Sequence, residues 1–281
     1  MLSLPFLARK PLLHRRRRIA LLGMFRSGTN YTRTLLETHY DVEVAYNLLG
    51  WKHGLLPTFA PRSGMQLPDA RPLVVVKHPL AFLRSVYRYH AETGCDMHTQ
   101  ADGWPDFLRS RMVYASDHLA CPPQYRFSNP VQMWNAVIWN HVHYAQGTGG
   151  MVLRYEDLLE APEAHCARVA QHYRLERRPG SGTFTVPELQ TNRMGDRRRR
   201  RERYVIDQPF TRKSFYQDGG YLADYAPEDL AHVIDELDAD LLETLGYALP
   251  DRPQVQRHPC QSCQSCQSCQ SCQSCQSAMA G

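Results

Sequence analysis

The sequence predicts an α/β fold in which a mainly parallel central sheet is flanked by helices. Three observations support this. Short apolar runs alternate with segments of helical spacing. The first run breaks into a glycine-bearing turn that opens directly into a helix pattern. The chain has 281 residues, enough to bury one large core or two small ones.

Taken in order, Ile19 to Leu22 read as a short buried strand, and Tyr31, Leu35 and Leu36 fall at helical spacing in the segment after it. The run VEVAYN, ending at Asn47, reads as a second short strand, and RPLVVVKHP (71–79) as a strongly buried one. Pro79 suits the first position of the next helix, LAFLRSVYRYH, because its missing N–H has no helical partner there in any case. In NPVQMWNAVIWNHVHYAQ, Asn129 is the N-cap and Pro130 the first helical residue, with Trp134, Val137 and Ile138 on one face. GMVLRYEDLLEAPEAHCARVAQHY gives a strand, a turn and a helix. From Pro227 the pattern is one or two amphipathic helices ending at Gly246. Sites in such sheets lie at the carboxyl ends of strands, so chemistry is sought after Leu22, Asn47, Val76 and Arg154.

Formal net charge is +5, and the excess is concentrated in Arg15 to Arg18, ahead of the first strand, and in DRRRRRER (196–203). Such runs are solvated faces or, in a sharper reading, contacts for nucleic acid or anionic lipid. A nucleic-acid module would also need stacking aromatics or a groove-binding motif, and neither is evident. No apolar window reaches bilayer length. The amino-terminal segment places its charges after a short apolar part, the wrong order for a secretory signal, so a cytoplasmic location is expected. Of the nine cysteines, Cys95, Cys121 and Cys166 are scattered and the remaining six repeat every three residues from Cys260 in a CQS tract. That tract has neither histidine nor apolar residues among its repeats, and it reads as a low-complexity tail rather than a zinc site. The expected organisation is a basic segment (1–17), an α/β domain (18–249) and a tail without packed structure (250–281).

The turn Arg26-Ser27-Gly28-Thr29-Asn30 joins a strand to a helix N-terminus, where free N–H groups and the helix dipole favour an anion such as phosphate. Gly28 allows close backbone approach, and Ser27 and Thr29 supply hydroxyls. Gly23 and Gly28 have Walker-loop spacing, but Thr29 and Asn30 stand where that motif has Lys and Ser/Thr. The 73–77 strand also ends without a magnesium-holding aspartate. The loop therefore suits a phosphate group bound without a metal, with its cation at Arg26. A merely connecting turn is the alternative.

At these residues the chain resembles the sulfotransferases that use 3′-phosphoadenosine 5′-phosphosulfate. FRSGTNY resembles their 5′-phosphosulfate loop, P-K-S-G-T-T-W. VKHPLAFLRSVYRY resembles their 3′-phosphate motif, with Lys77 on the family arginine, Pro79 on the proline and Ser85 on the serine. VLRYEDLLEAP (152–162) is similar to the segment V-x-Y-E-D-L-x-x-x-P, and FTRKSFY (210–216) resembles the late R-K-G loop. The likeness runs in order over about residues 18–247. It implies a three-layer, P-loop-like domain that moves a sulfuryl group in line, without a metal, from that donor to a hydroxyl or amine acceptor. It further implies donor contacts from Arg26, Ser27, Gly28, Thr29, Asn30, Lys77, Ser85, Arg212 and Lys213. Arg26 would neutralise charge on the leaving oxygen.

Several positions depart from the family pattern. Arg26 replaces a lysine, and Lys77 an arginine; Asn30 and Tyr31 replace threonine and tryptophan. GWKHGLLP (50–57) resembles the K-T-H-L-P region, so Lys52 and His53 are the catalytic candidates, with His53 the base. They are adjacent here, and in an extended segment only one would face the donor unless the chain turns at Gly50 or Gly54. That adjacency keeps open a sulfotransferase-like scaffold that binds nucleotide without turnover. His78 reads as structural, and His141 and His143, on the Trp-rich helix, read as acceptor-side or merely packed. Glu156 and Asp157 are implied to orient loops. The acceptor, whether carbohydrate, lipid, small molecule or peptide, is not legible.

Overall fold

A computed structural model describes residues 17–46, 48–49, 51–56, 71–93, 101–115, 124–187 and 213–254. In chain order the elements are β1 (Arg17–Leu22), α1 (Thr29–His39), β2 (Val42–Ala45), β3 (Arg71–Val76), α2 (Pro79–Thr93) and α3 (Trp104–Arg109). There follow β4 (Met112–Ala115), β5 (Gln124–Phe127), α4 (Pro130–Thr148), β6 (Met151–Arg154), α5 (Tyr155–Glu160) and α6 (Pro162–Tyr173). Then come α7 (Lys213–Gln217), a 3-10 turn (Gly220–Asp224), α8 (Pro227–Glu236) and α9 (Ala239–Leu245).

The protein is α/β, with a four-stranded parallel sheet in the order β2-β1-β3-β6. The chain leaves β1 for one edge at β2 and returns to β1's other side at β3. The strand order therefore reverses between β1 and β3, the place where loops diverge and leave a crevice. Along the two central strands, successive side chains enter opposite cores, as the pleat requires. Ala20, Leu22, Val74 and Val76 join one cluster with residues of α2, α4 and α9. Ile19, Leu21, Leu73 and Val75 join the other, with residues of α1, α5 and α6. Strands buried on both faces read as continuous apolar runs, which is why LVVV was legible as a strand.

The end signals of α4 behave as their chemistry dictates. The Asn129 side chain accepts the Gln132 N–H at 2.9 Å, Pro130 opens the helix, and Gly149 closes it in the left-handed region. Trp134, Val137 and Ile138 are buried on its inner face. The last stretch forms two helices, α8 and α9, and Gly246 is the left-handed cap at its end. The turn expected after Arg154 is instead the short helix α5, while β4 and β5 form an antiparallel hairpin that periodicity alone did not reveal.

Two boundaries shift. Arg17 and Arg18 lie within β1 rather than ahead of it, because backbone pairing with β2 reaches back to Arg17, and Arg18 meets Glu43 at 3.1 Å. Past Pro250 the chain keeps a contact: Arg252 donates twice to Asp235, at 2.7 Å each. The 196–203 arginine run, Arg212 and the CQS tract lie outside the described residues. Among the described residues, no helix is long and apolar enough to cross a membrane.

Candidate functional site

The loop after β1 is built on two glycines and one strained arginine. Gly23 has φ +155°, and a Cβ there would stand 2.6 Å from the Val75 carbonyl oxygen of the neighbouring strand. Gly28 has φ +90°, and a Cβ there would lie 2.1 Å from the Tyr155 ring. Between them, Arg26 takes φ +64°, a left-handed conformation that costs a non-glycine residue roughly 1–2 kcal/mol. Its exposed guanidinium lies 5.1 Å from the Tyr89 ring centre. Ser27 is buried and donates its hydroxyl to the Met24 carbonyl at 2.6 Å, so the proton expected to face an anion is spent inside the turn.

α1 starts on Gly28 with no side-chain cap and no acidic residue in its first turn. The first N–H groups of a helix have no intrahelical partner, so this end stays electropositive. Lys52 adds to it. Its ammonium donates to Asn30 Oδ1 at 3.1 Å and Thr29 Oγ1 at 3.3 Å, over the Tyr46 ring. Tyr46 O–H also donates to Asn30 Oδ1, at 2.7 Å. Asn30 is thus a cross-link between the loop, β2's end and Lys52. Burial, with Arg33 nearby, pushes the Lys52 pKa down to about 7.

Lys52 and His53 do not point apart, because the chain turns there rather than running extended. Gly54 N–H donates to the Trp51 carbonyl at 2.7 Å, and Gly23 N–H donates to the Lys52 carbonyl at 3.0 Å. His53 Nδ1 bonds the Gly23 carbonyl oxygen. That oxygen only accepts, so Nδ1 carries the proton and Nε2 keeps its lone pair. Burial, then the Lys52 charge, pushes the imidazole pKa down to about 3. Phe25 and Trp51 lie edge-on to this ring, at 6.2 and 5.2 Å, and Tyr114 packs against both of them.

The second cation cluster sits at the end of β3. Lys77 Nζ donates to Ser85 Oγ at 3.0 Å, so the eight-residue spacing does bring the two together. The same ammonium donates to the Arg26 carbonyl at 3.3 Å, which joins the β1 and β3 loops at the reversal in strand order. Tyr216, on α7, completes the cluster. Its hydroxyl is 2.6 Å from Ser85 Oγ, and Lys77 Nζ lies 3.5 Å from its ring centre, with Tyr155 behind at 5.0 Å. Lys77 is 3% exposed, and burial pushes its pKa down to about 8 against the opposing effects of Tyr216 and Glu156. Burial raises the Tyr216 phenol, but Lys77 and Ser85 outweigh it and leave its pKa below the usual value.

Residue by residue, Arg26, Ser27, Gly28, Thr29, Asn30, Lys52, His53, Lys77 and Ser85 all converge at the carboxyl ends of β1, β2 and β3. Arg212 lies outside the described residues, and of Lys213 only the backbone, the start of α7, is described. Tyr216 and Tyr155 were not singled out from sequence, although both stand inside segments that were quoted there. Glu156 is a structural anchor: its carboxylate accepts from His78 N–H at 2.9 Å and Tyr247 O–H at 2.8 Å. Asp157 is another, receiving Arg154 through two bonds of 2.6 and 2.9 Å. His78 Nε2–H donates to Ala248 O at 3.1 Å, a structural role. His143 packs against Trp139, with ring centres 4.6 Å apart.

No protein-family model matches the chain, and no curated protein matches it either. The class that fold and geometry define is an α/β protein with two cation–hydroxyl clusters at the carboxyl edge of a parallel sheet, a site suited to an anionic ligand.

Proposed function

We propose that the chain is a sulfotransferase that moves a sulfuryl group from 3′-phosphoadenosine 5′-phosphosulfate to a hydroxyl or amine acceptor, on a three-layer, P-loop-like domain. The observation that supports this best is the pairing of Lys77 with Ser85 at 3.0 Å beside the Arg26 carbonyl. One loop system thereby offers two cationic, hydroxyl-bearing clusters to a ligand with two anionic ends. The phosphosulfate end goes to the Arg26–Asn30 turn with Lys52, and the 3′-phosphate to Lys77, Ser85 and Tyr216.

In the transfer, the sulfur–oxygen bond to the phosphate breaks as a bond forms from the acceptor oxygen or nitrogen to sulfur. Charge grows on the leaving phosphate oxygen, where Arg26 and Lys52 neutralise it. The acceptor's proton goes to His53 Nε2, which holds a lone pair directed away from Gly23. The depressed basicity of Lys52 and His53 is a property of the protein alone. A bound dianion favours their protonated forms and raises both pKa values. The location is proposed as cytoplasmic and the acceptor as a hydroxyl or amine of a carbohydrate, lipid, small molecule or peptide.

The decisive experiment is calorimetry of 3′-phosphoadenosine 5′-phosphate and adenosine 5′-phosphate on wild type, Arg26→Ala and Lys77→Ala. Lys77→Ala should weaken the first ligand about tenfold or more relative to the second, because only the first carries a 3′-phosphate. Arg26→Ala should weaken both. A wild type that does not discriminate between the two ligands overturns the reading. Discrimination without sulfuryl transfer to any member of an acceptor panel leaves the non-catalytic scaffold in its place.

A further inference from the structure

The Lys52–His53 turn is held against the β1 loop from behind, by a helix with no other part in the site. Asn140 of α4 pairs with Leu56 through both ends of its amide: Nδ2–H donates to the Leu56 carbonyl at 2.7 Å, and Oδ1 accepts the Leu56 N–H at 2.8 Å. His141, next along the helix, donates Nε2–H to the Gly54 carbonyl at 2.8 Å. Tyr114 of β4 donates to the His53 carbonyl. On its other side the same stretch bonds Gly23 twice, through the Lys52 carbonyl and the His53 ring.

These are side-chain substitutes for a missing strand partner. Leu56 is 3% exposed, so its N–H and C=O have no ready access to water and need Asn140. His141 is wholly buried, and its Nδ1 has no hydrogen-bond partner. Its polar contribution there is a single bond, made to Gly54.

We infer that Asn140 and His141 are positioning residues that press the Lys52–His53 turn onto the β1 loop and so hold the Lys52 ammonium on Thr29 and Asn30. The inference rests on the sulfuryl-transfer reading for what Lys52 does there, but the clamp itself is tested without turnover. Among the described residues, the groups facing Lys52 include Thr29 and Asn30 of α1, Arg33 one turn on, Tyr46 and the adjacent His53. If the clamp fails, the turn lifts from these groups and water reaches the amine.

The chain has four lysines, at 10, 52, 77 and 213, so competitive acetylation of the full-length protein across pH, resolved by peptide mass spectrometry, reads each one separately. In wild type, Lys52 should titrate near 7. In His141→Leu and Asn140→Leu its midpoint should rise toward the ordinary 10.5, while Lys77, just past β3, stays where it was. His141→Gln keeps a donor for Gly54 and should restore the wild-type value. Should the leucine variants not fold, Asn140→Asp keeps only the acceptor for Leu56 N–H and should give an intermediate rise. Affinity for 3′-phosphoadenosine 5′-phosphate should fall several-fold, because Lys52 leaves the 5′-phosphate, but by less than in Arg26→Ala. An unmoved Lys52 midpoint in folded variants overturns the inference. So does a parallel movement of Lys77, or a loss of nucleotide binding as large as that of Arg26→Ala, since either means general loosening. A wild type that binds no nucleotide but shows the Lys52 response overturns only the sulfuryl-transfer reading.

Discussion

Arg26 carries opposing demands on one residue: its side chain is the cation of the loop, and its backbone sits at φ +64°. Arg26→Gly and Arg26→Ala lose the same guanidinium, but glycine adopts that conformation without a Cβ penalty. We predict that both weaken 3′-phosphoadenosine 5′-phosphate binding alike, while the glycine variant is the more stable by about 1 kcal/mol in urea unfolding. Equal stability would place the strain elsewhere. Gly28 shows the reverse case, since a Cβ at φ +90° would strike the Tyr155 ring. Gly28→Ala should cost on the order of 2 kcal/mol, and Tyr155→Leu in the same chain should recover part of it. Additive losses would rule out that contact as the cause.

At the scale of elements, α7 matters because it delivers Tyr216 to the Lys77–Ser85 pair from a segment distant in sequence. It is five residues long, too short to be stable on propensity. Its order must come from contacts such as Tyr216 on Ser85 and Phe215 against Gly220 and Arg88. A ligand at Lys77 should therefore be felt in α7: 3′-phosphoadenosine 5′-phosphate should change hydrogen exchange in 213–217 several-fold, and adenosine 5′-phosphate should not. Identical exchange with both nucleotides would separate α7 from the 3′-phosphate. The cap of α4 is an independent test of local structure. Asn129 also donates to Glu236 at 3.2 Å, so Asn129→Ala should cost about 1–2 kcal/mol of stability and leave nucleotide binding unchanged.

Across the whole molecule, the buried neutral imidazoles contribute to the response to acid. The pKa of His141 is pushed by burial from 6.5 down to about 4, so between these values the unfolded chain takes up a proton that the folded chain refuses. Stability therefore rises with pH through that window and falls on acidification, by up to roughly 3 kcal/mol for this one group below pH 4. His53 acts in the same direction. Thermal melts from pH 4 to 7 should show a shallower acid slope for His141→Gln than for wild type, because glutamine has no proton to take up. An unchanged slope would assign acid sensitivity to other groups.

Much of the scaffold was legible because it obeys local rules. LVVV reads as a strand covered on both faces, Asn129-Pro130 can cap and open a helix without tertiary help, and Gly246 ends the last helix because it tolerates positive φ. The order of the cationic loops along the chain was equally local, as was the eight-residue interval from Lys77 to Ser85. What the sequence could not supply was which loops meet. Strand order put the ends of β1 and β3 side by side, so that Lys77 reaches the Arg26 carbonyl, and a turn rather than an extended segment let Lys52 and His53 face the same loop. Tyr216, Asn140 and His141 became site residues only through contacts spanning 84 to 131 positions. Periodicity and caps report the chain's neighbours within a few residues, whereas a site assembled at a sheet edge depends on packing between elements that no local pattern encodes.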